Sequence, residues 1–266
     1  MVDAVEIAPG VLVTTSRRYA TTSTVVMSAD GQALMVDPCW TPDELDGLAA
    51  LLAARSVTVS AGWSTHAHHD HLLWHPAFGT VERWATPTAA RLAAEHRGEL
   101  AANLGPDFPA ELADLVGVVA PLAQPAVPWP GPAAEIVQHD AHSPGHGAVW
   151  LPGSRVLLAG DMLSDIELPL PQDPPDPDRW GGDGHPGIQP LLAAYLDGLD
   201  RLSGYVGRAS VLVPGHGRVT DRPMDRLDAD RRYLDALLSG RPVDDPRLGL
   251  PDMAEAHRRN LELAGS

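Results

Sequence analysis

Short runs of β-branched and apolar residues alternate along this chain with longer stretches in which Leu and Ala recur at helical spacing. Val11 to Thr15, Thr21 to Met27 and Ala33 to Val36 read as antiparallel strands, with Ala29-Asp30-Gly31 as the turn between the last two. Asp37-Pro38 ends the third strand, and Thr41-Pro42-Asp43-Glu44 opens a helix, with Thr as N-cap and Pro at the first helical position. Leu45, Leu48, Leu51 and Leu52 mark its apolar face up to Arg55. A strand at Val57 to Ser60 follows, then one around Val81 to Ala85. A helix beginning near Thr86-Pro87 carries Ala90, Leu92, Ala93 and Leu100.

Residues 105 to 132 are rich in Pro and Gly, with one helical stretch near Ala110 to Val116, and read as a connection between two halves. Strands at Ile136-Val137, Ala148 to Leu151 and Val156 to Ala159 open the second half. A long loop over residues 163 to 190 is of the kind that forms a lid or pocket wall. A helix at Pro190 to Leu202, a strand at Ser210 to Val213, and helices near Asp225 to Leu238 and Asp252 to Leu263 complete the chain. Each half contains an apolar strand ending in Asp, at Asp37 and at Asp161, which hints at two similar halves packed as one domain over residues 1–266.

Composition narrows the function classes. Hydrophobic residues at 44% and charged residues at 20% are those of an ordinary globular protein. The formal net charge of −16 argues against nucleic acid as a partner, because phosphate binding needs a basic face. All 19 basic residues are Arg. Cys39 is the only cysteine, which rules out an internal disulfide and a Cys-based zinc site and leaves it as a small apolar side chain. The first ten residues contain Asp3 and Glu6 and lack a basic stretch before an apolar core, so they do not read as a signal peptide. With no apolar run long enough to span a bilayer, the expectation is a cytoplasmic protein with no membrane partner.

The chemistry is concentrated in Ser64-Thr65-His66-Ala67-His68-His69-Asp70-His71, directly after the strand at Val57 to Ser60. Side chains at i and i+2 of near-extended backbone point the same way, so His66 and His68 can reach one ion together. Asp70 and His71, around the turn, are placed for a second. Three further strand ends offer donors beside glycine: Pro144-Gly145-His146-Gly147, Gly160-Asp161 and Pro214-Gly215-His216-Gly217. Glycine there lets the backbone turn sharply and come close to an ion.

These residues, taken in order, resemble the metallo-β-lactamase fold superfamily, whose signature is an HxHxDH loop followed by His, Asp and His. The resemblance runs from the opening strands through Gly217. It implies an α/β fold, an αββα sandwich of two mixed sheets flanked by helices, with a metal site along one edge. It assigns His66, His68 and His146 to a first ion and Asp70, His71 and His216 to a second, with Asp161 bridging both. Imidazole and carboxylate donors suit two Zn²⁺, with Fe or Mn as possible occupants. The implied activity is hydrolysis of a small-molecule ester, thioester, lactone or amide by a metal-bound hydroxide, since two dications lower the pKa of a shared water from about 15.7 toward 7. Asp70 would be the catalytic carboxylate that orients the nucleophile and takes its proton.

An Asp at position 161 resembles glyoxalase-II-like and lactonase-like members, while true β-lactamases usually carry Cys or Ser there. Ser164 stands where acyl-homoserine-lactone lactonases typically have Tyr, and no Lys follows His216 to make a basic glutathione site. Neither named activity therefore transfers. The alternatives are a mononuclear iron enzyme of the persulfide-dioxygenase type and a non-catalytic binding protein. Asp37 and His142 are candidates for orienting the ligands, and His69 is expected to point away from the ions. His75 and His185 are expected at the surface. Trp63, Trp74 and Trp180 are weighed as pocket walls against a role in the core.

Overall fold

The computed structural model describes residues 3–38, 40–171 and 189–265. Cys39, Trp180, His185 and most of the long loop (172–188) lie outside them. The strands are β1 (Ala4–Ala8), β2 (Val11–Thr15), β3 (Thr22–Met27), β4 (Gln32–Val36), β5 (Thr58–Trp63), β6 (Arg83–Ala85), β7 (Ala120–Pro121), β8 (Glu135–His139), β9 (His146–Leu151), β10 (Val156–Gly160) and β11 (Val211–Pro214). The helices are α1 (Pro42–Ala54), α2 (Pro87–Glu95), α3 (Arg97–Ala102), α4 (Ala110–Ala113), α5 (Gln189–Val206), α6 (Pro223–Leu238) and α7 (Met253–Gly265).

Strands β1 to β7 form one sheet in sequence order, antiparallel through β4 and parallel from β4 to β7. The second sheet runs β11-β10-β9-β8, with β10 and β11 parallel and the other pairs antiparallel. Strand alternation sorts the apolar residues into three layers. Val11, Val13, Val26, Leu34 and Val36 of the first sheet meet Val149, Leu151, Val156, Leu158 and Val213 of the second. Leu12, Val25, Ala33 and Met35 face outward and are covered by Leu45, Leu48 and Leu52 of α1. Trp150, Leu157 and Leu212 face outward on the other side, under Tyr195 and Leu199 of α5 and Tyr233 and Leu234 of α6. Both sheets are thus covered on both faces, which is why their strands read as continuous apolar runs. This is the αββα sandwich.

The helix expected from Thr86 onward breaks at His96, whose φ of −107° and ψ of 14° leave the helical region between α2 and α3. The stretch near Ala110 is helical only as far as Ala113. Strand β1 was not expected; Val5 is 58% exposed on this edge strand, so no buried face marks it in the sequence. The N-cap of α1 forms as the sequence predicts, with Thr41 and Glu44 in a reciprocal capping box.

Two sheets that meet at one edge bring their strand ends together. The C-terminal ends of β4, β5, β10 and β11 and the N-terminal end of β9 all point the same way, because β9 is antiparallel to β10. The edge is laced shut by Thr22 N donating to Gly215 O at 2.7 Å, Gly147 N donating to Thr65 O at 2.7 Å, and a bridge between Thr21 and His216.

Candidate metal centre

The loop after β5 supplies His66, His68, Asp70 and His71; the turn before β9 supplies His142; the ends of β10 and β11 supply Asp161 and His216. Donor atoms of His66, His68, His142 and Asp161 lie within 4.8 Å of one another, and so do those of Asp70, His71 and His216. Asp161 stands between the two groups. Its Oδ2 is 3.3 Å from the Nε2 atoms of His66, His142 and His216, and its Oδ1 is 3.1 Å from His71 Nε2. Asp70 Oδ2 lies 3.2 Å from His216 Nε2 and 3.4 Å from His71 Nε2.

Four of the five imidazoles are turned by a partner on their outer nitrogen. His71 Nδ1 donates to Asp37 Oδ2 at 2.9 Å, His216 Nδ1 to the carbonyl of Tyr19 at 3.0 Å, and His142 Nδ1 to the carbonyl of Leu170 at 3.1 Å. Thr65 Oγ gives its own proton to Asp37 Oδ2 at 2.6 Å, so at 3.0 Å it accepts from His66 Nδ1. Each Nδ1 thus holds a ring proton and each Nε2 points to the middle of the cluster, so the inner nitrogen is the one a metal would take. Nitrogen faces nitrogen at 3.0 Å between His66 Nε2 and His68 Nδ1, and at 3.4 Å between His71 and His216 Nε2. Asp161 Oδ1 is buried without a hydrogen-bond partner. Converging lone pairs and carboxylates in a buried space fit divalent cations with nitrogen and oxygen ligands.

The field inside the cluster tells the same story. Burial works against charge on His71 and His216, yet Asp161 and Asp70 outweigh it and hold both imidazoles well above their ordinary range. Burial also opposes charge on Asp70, and His71 and His216 hold its carboxyl well below the usual range. Burial pushes His68 down to about 3 and His66 well below its ordinary value. The carboxylates thus favour positive charge on one side of the cluster, and the other side offers neutral lone pairs.

One expected donor stands elsewhere. His146 is the first residue of β9, and its ring lies between those of His66 (5.0 Å) and His139 (4.5 Å), stacked on both. His139 is its cross-strand partner on β8. Neither nitrogen of His146 has a hydrogen-bond partner, and burial holds its pKa well below the ordinary value. Gly160, at φ +57°, leaves the space that this ring fills; a Cβ there would fall on His146 Nε2. The structure therefore brings His142, and not His146, into the first donor group. The turn Ser143-Pro144-Gly145 separates the two, sending His142 toward the loop of Leu170 and His146 into the sheet.

Asp37 takes three hydrogen bonds, from Thr65 N at 2.8 Å, Thr65 Oγ and His71 Nδ1. It does so with a left-handed backbone at φ +46°. Gly215 has no room for a side chain, since a Cβ would fall on Asp161 Oδ1. His69 packs edge-on against Trp40 at 4.9 Å, outside both donor groups. His75 caps a short 3-10 helix and bonds Asp46 at 3.0 Å. Trp63 and Trp74 are core residues, at 1% and 4% exposure. Sequence reasoning missed Thr65, the carbonyls of Tyr19 and Leu170, and the wall residues Arg18, Tyr19 and Trp40. Only Thr65, next to His66, carried any local signal.

A cavity of about 980 Å³ opens in front of the cluster, lined by His68, Asp70, His142, Asp161 and His216 and walled by Trp40, Ile166 and Leu170. Ser164, after Asp161, donates through Oγ to the carbonyl of His216 at 2.8 Å and ties the two strand ends together.

Fold and cluster define an α/β sandwich protein with a buried His and Asp site suited to metal ions at one sheet edge. The profile of the Metallo-beta-lactamase superfamily matches residues 17–216, and the chain belongs to that superfamily. A β-lactamase domain protein from Burkholderia ambifaria superposes with a TM-score of 0.62 at 23% identity, over 89% of this chain and 74% of that one. A metallo-β-lactamase family protein from Thermus thermophilus gives 0.60 at 20% identity, over 88% and 82%. A metallo-β-lactamase from Pontibacter korlensis gives 0.59 at 19%, over 88% and 99%. At such identities the likeness is one of fold. The comparison with curated proteins gives no match. No helix among the described residues is long and apolar enough to cross a membrane.

Proposed function

We propose that the protein is a dinuclear metal-dependent hydrolase of a small-molecule ester, thioester, lactone or amide. The observation that carries this reading is the Asp161 carboxylate, with Nε2 atoms from both donor groups within 3.3 Å. His66, His68 and His142 would hold one ion, Asp70, His71 and His216 the other, and Asp161 both. A pair of divalent cations, Zn²⁺ by donor type, would activate a water and polarise the substrate carbonyl.

The chain's own groups supply the rest. Asp37, Thr65, Tyr19 and Leu170 keep the ring protons on the outer nitrogens, so the inner ones stay free for metal. Asp70 orients the attacking water and accepts its proton. Water adds across the acyl bond, yielding a carboxylic acid and an alcohol, thiol or amine. The second donor group favours this reading over a mononuclear iron oxygenase, which would leave Asp70, His71 and His216 without a task. With Asp at position 161, esters and lactones are favoured over β-lactams.

Metal analysis of the purified protein tests the reading, together with turnover of aryl esters, lactones and thioesters. About two zinc ions per chain with turnover lost in Asp70→Ala supports it. One iron per chain would point to the oxygenase, and full folding with no bound metal would refute both.

A further inference from the structure

One wall of the cavity is built differently from the rest. The Tyr19 ring, 56% exposed, stacks on the Trp40 indole at 4.9 Å with 21° between planes. The Arg18 guanidinium lies over the same indole at 4.5 Å and 5.8 Å from the Tyr19 ring. All three line the cavity in front of Asp70 and His216.

The turn that carries this wall is held from both sides. Ser16 Oγ and Arg17 N donate to the buried Glu44 carboxylate of α1 at 2.6 and 2.8 Å. On the other side the Tyr19 carbonyl accepts from His216, and Thr21 N donates to the Arg18 carbonyl at 3.3 Å. Between these anchors Tyr19 and Ala20 both adopt left-handed backbone, at φ +54° and +51°, a conformation that non-glycine residues keep only where the surroundings enforce it. Arg18 and Tyr19 are therefore presented at a fixed place beside the cluster.

A guanidinium stacked on an indole uses its face and keeps its in-plane N–H groups for other partners. Arg17, next door, spends its own on Asp43 and Glu44. Among the described residues no carboxylate pairs with Arg18. The cavity lining also holds Glu167, Asp252 and Glu255, which do not attract an anion, and Arg259, which has a partner already. In a chain of net charge −16, a cation held beside the cluster with no carboxylate partner among the described residues is an anion anchor.

We propose that Arg18, held on Trp40, binds an anionic group, a carboxylate, that the substrate carries at a distance from the acyl bond to be cut. The substrate class is then an acyl compound with a second, ionised carboxylate and an apolar spacer that lies along the exposed Tyr19 ring. This rests on the hydrolase reading above, so the test has one arm that needs turnover and one that does not.

In the first arm, zinc-loaded protein is given mono-(4-nitrophenyl) glutarate and its neutral methyl ester. The charged ester should be favoured about 10- to 100-fold in kcat/KM, the range of a charge-assisted hydrogen bond. Arg18→Gln should bring that ratio to about one by raising KM for the charged ester, and Arg18→Lys should restore part of it. No preference in the wild type, or a preference that survives Arg18→Gln, overturns the proposal. In the second arm, glutarate is titrated calorimetrically into the zinc-loaded wild type and Arg18→Gln. Binding at least tenfold weaker in the variant supports the anchor, and equal binding overturns it. Loss of turnover on both esters with the glutarate difference intact would refute the hydrolase reading and leave the anchor standing.

Discussion

Replacing Asp37 by Asn isolates the hydrogen bonds around one ligand from everything else at that position. Asp37 is 4% exposed and its φ of +46° suits Asn as well as Asp, so the exchange adds neither bulk nor backbone strain. The carboxylate accepts three bonds: Oδ1 from Thr65 N, Oδ2 from Thr65 Oγ and His71 Nδ1. An amide cannot. With its oxygen at the Oδ2 place, its NH₂ confronts the Thr65 N–H. With its oxygen at the Oδ1 place, the NH₂ faces His71 Nδ1, which must give up its proton to Nε2, the nitrogen that lies 3.1 Å from Asp161 Oδ1. Either outcome disturbs the ligand, and the second caps its lone pair with hydrogen. Loss of such a supporting contact costs about 10- to 100-fold in metal affinity, or about 1.4 to 2.8 kcal/mol. Zinc titration in competition with a chromophoric chelator measures this. The more weakly held ion should lose that factor while circular dichroism stays native. Affinities within twofold of wild type for both ions would refute the account of Asp37.

His142→Ala should remove one zinc from the first donor group, whereas His146→Ala should keep the metal content and lower stability by about 2–5 kcal/mol, as for other large-to-small core changes. Metal stoichiometry beside a urea titration separates the two, and the opposite pattern would restore His146 as the ligand. Arg247, 4% exposed, pairs with the 1% exposed Asp230 at 2.7 Å and donates to the carbonyls of Ser164 and Glu167 at 3.1 and 2.8 Å. Burial raises the Asp230 carboxyl to about 6 even with this partner, so Arg247→Met should cost about 3–5 kcal/mol and Asp230→Leu in the same chain should recover much of it. A loss below about 1 kcal/mol in urea denaturation would contradict this. His71 and His216 have folded pKa values raised above the unfolded value of about 6.5, so the protons they hold stabilise the metal-free fold fully below that pH. That contribution is lost as pH climbs through the raised values. The melting temperature of chelator-treated protein should therefore fall above neutral pH, and zinc should flatten the decline; a chelated protein whose melting point holds level from about pH 6.5 to 9 would contradict it.

How much of this could be read from the sequence depends on how local each feature is. The loop from His66 to His71 is legible because its donors sit within six residues after one strand. Asp161 and His216 are legible as polar residues at the ends of apolar runs, a place where an αββα sandwich gathers strand ends. The choice between His142 and His146 is of another kind. Both flank the same Pro-Gly turn, and what settles it lies on other elements: the Leu170 carbonyl that turns His142 inward, and the slot over Gly160 and beside His139 that takes His146. The cavity wall is the same case. Trp63 and Trp74 are core because their strand and loop are covered on both sides, while Trp40, as buried as Trp74, lines the cavity beneath Arg18 and Tyr19, which come from a turn some twenty residues earlier in the chain. Ligand type is thus written locally, and ligand orientation and substrate choice are written in contacts between distant segments. It follows that substitutions at Tyr19, Trp40 and Leu170 should change what the site accepts more than whether it binds metal, since all three line the cavity and the ligands meet only the backbone carbonyls of Tyr19 and Leu170.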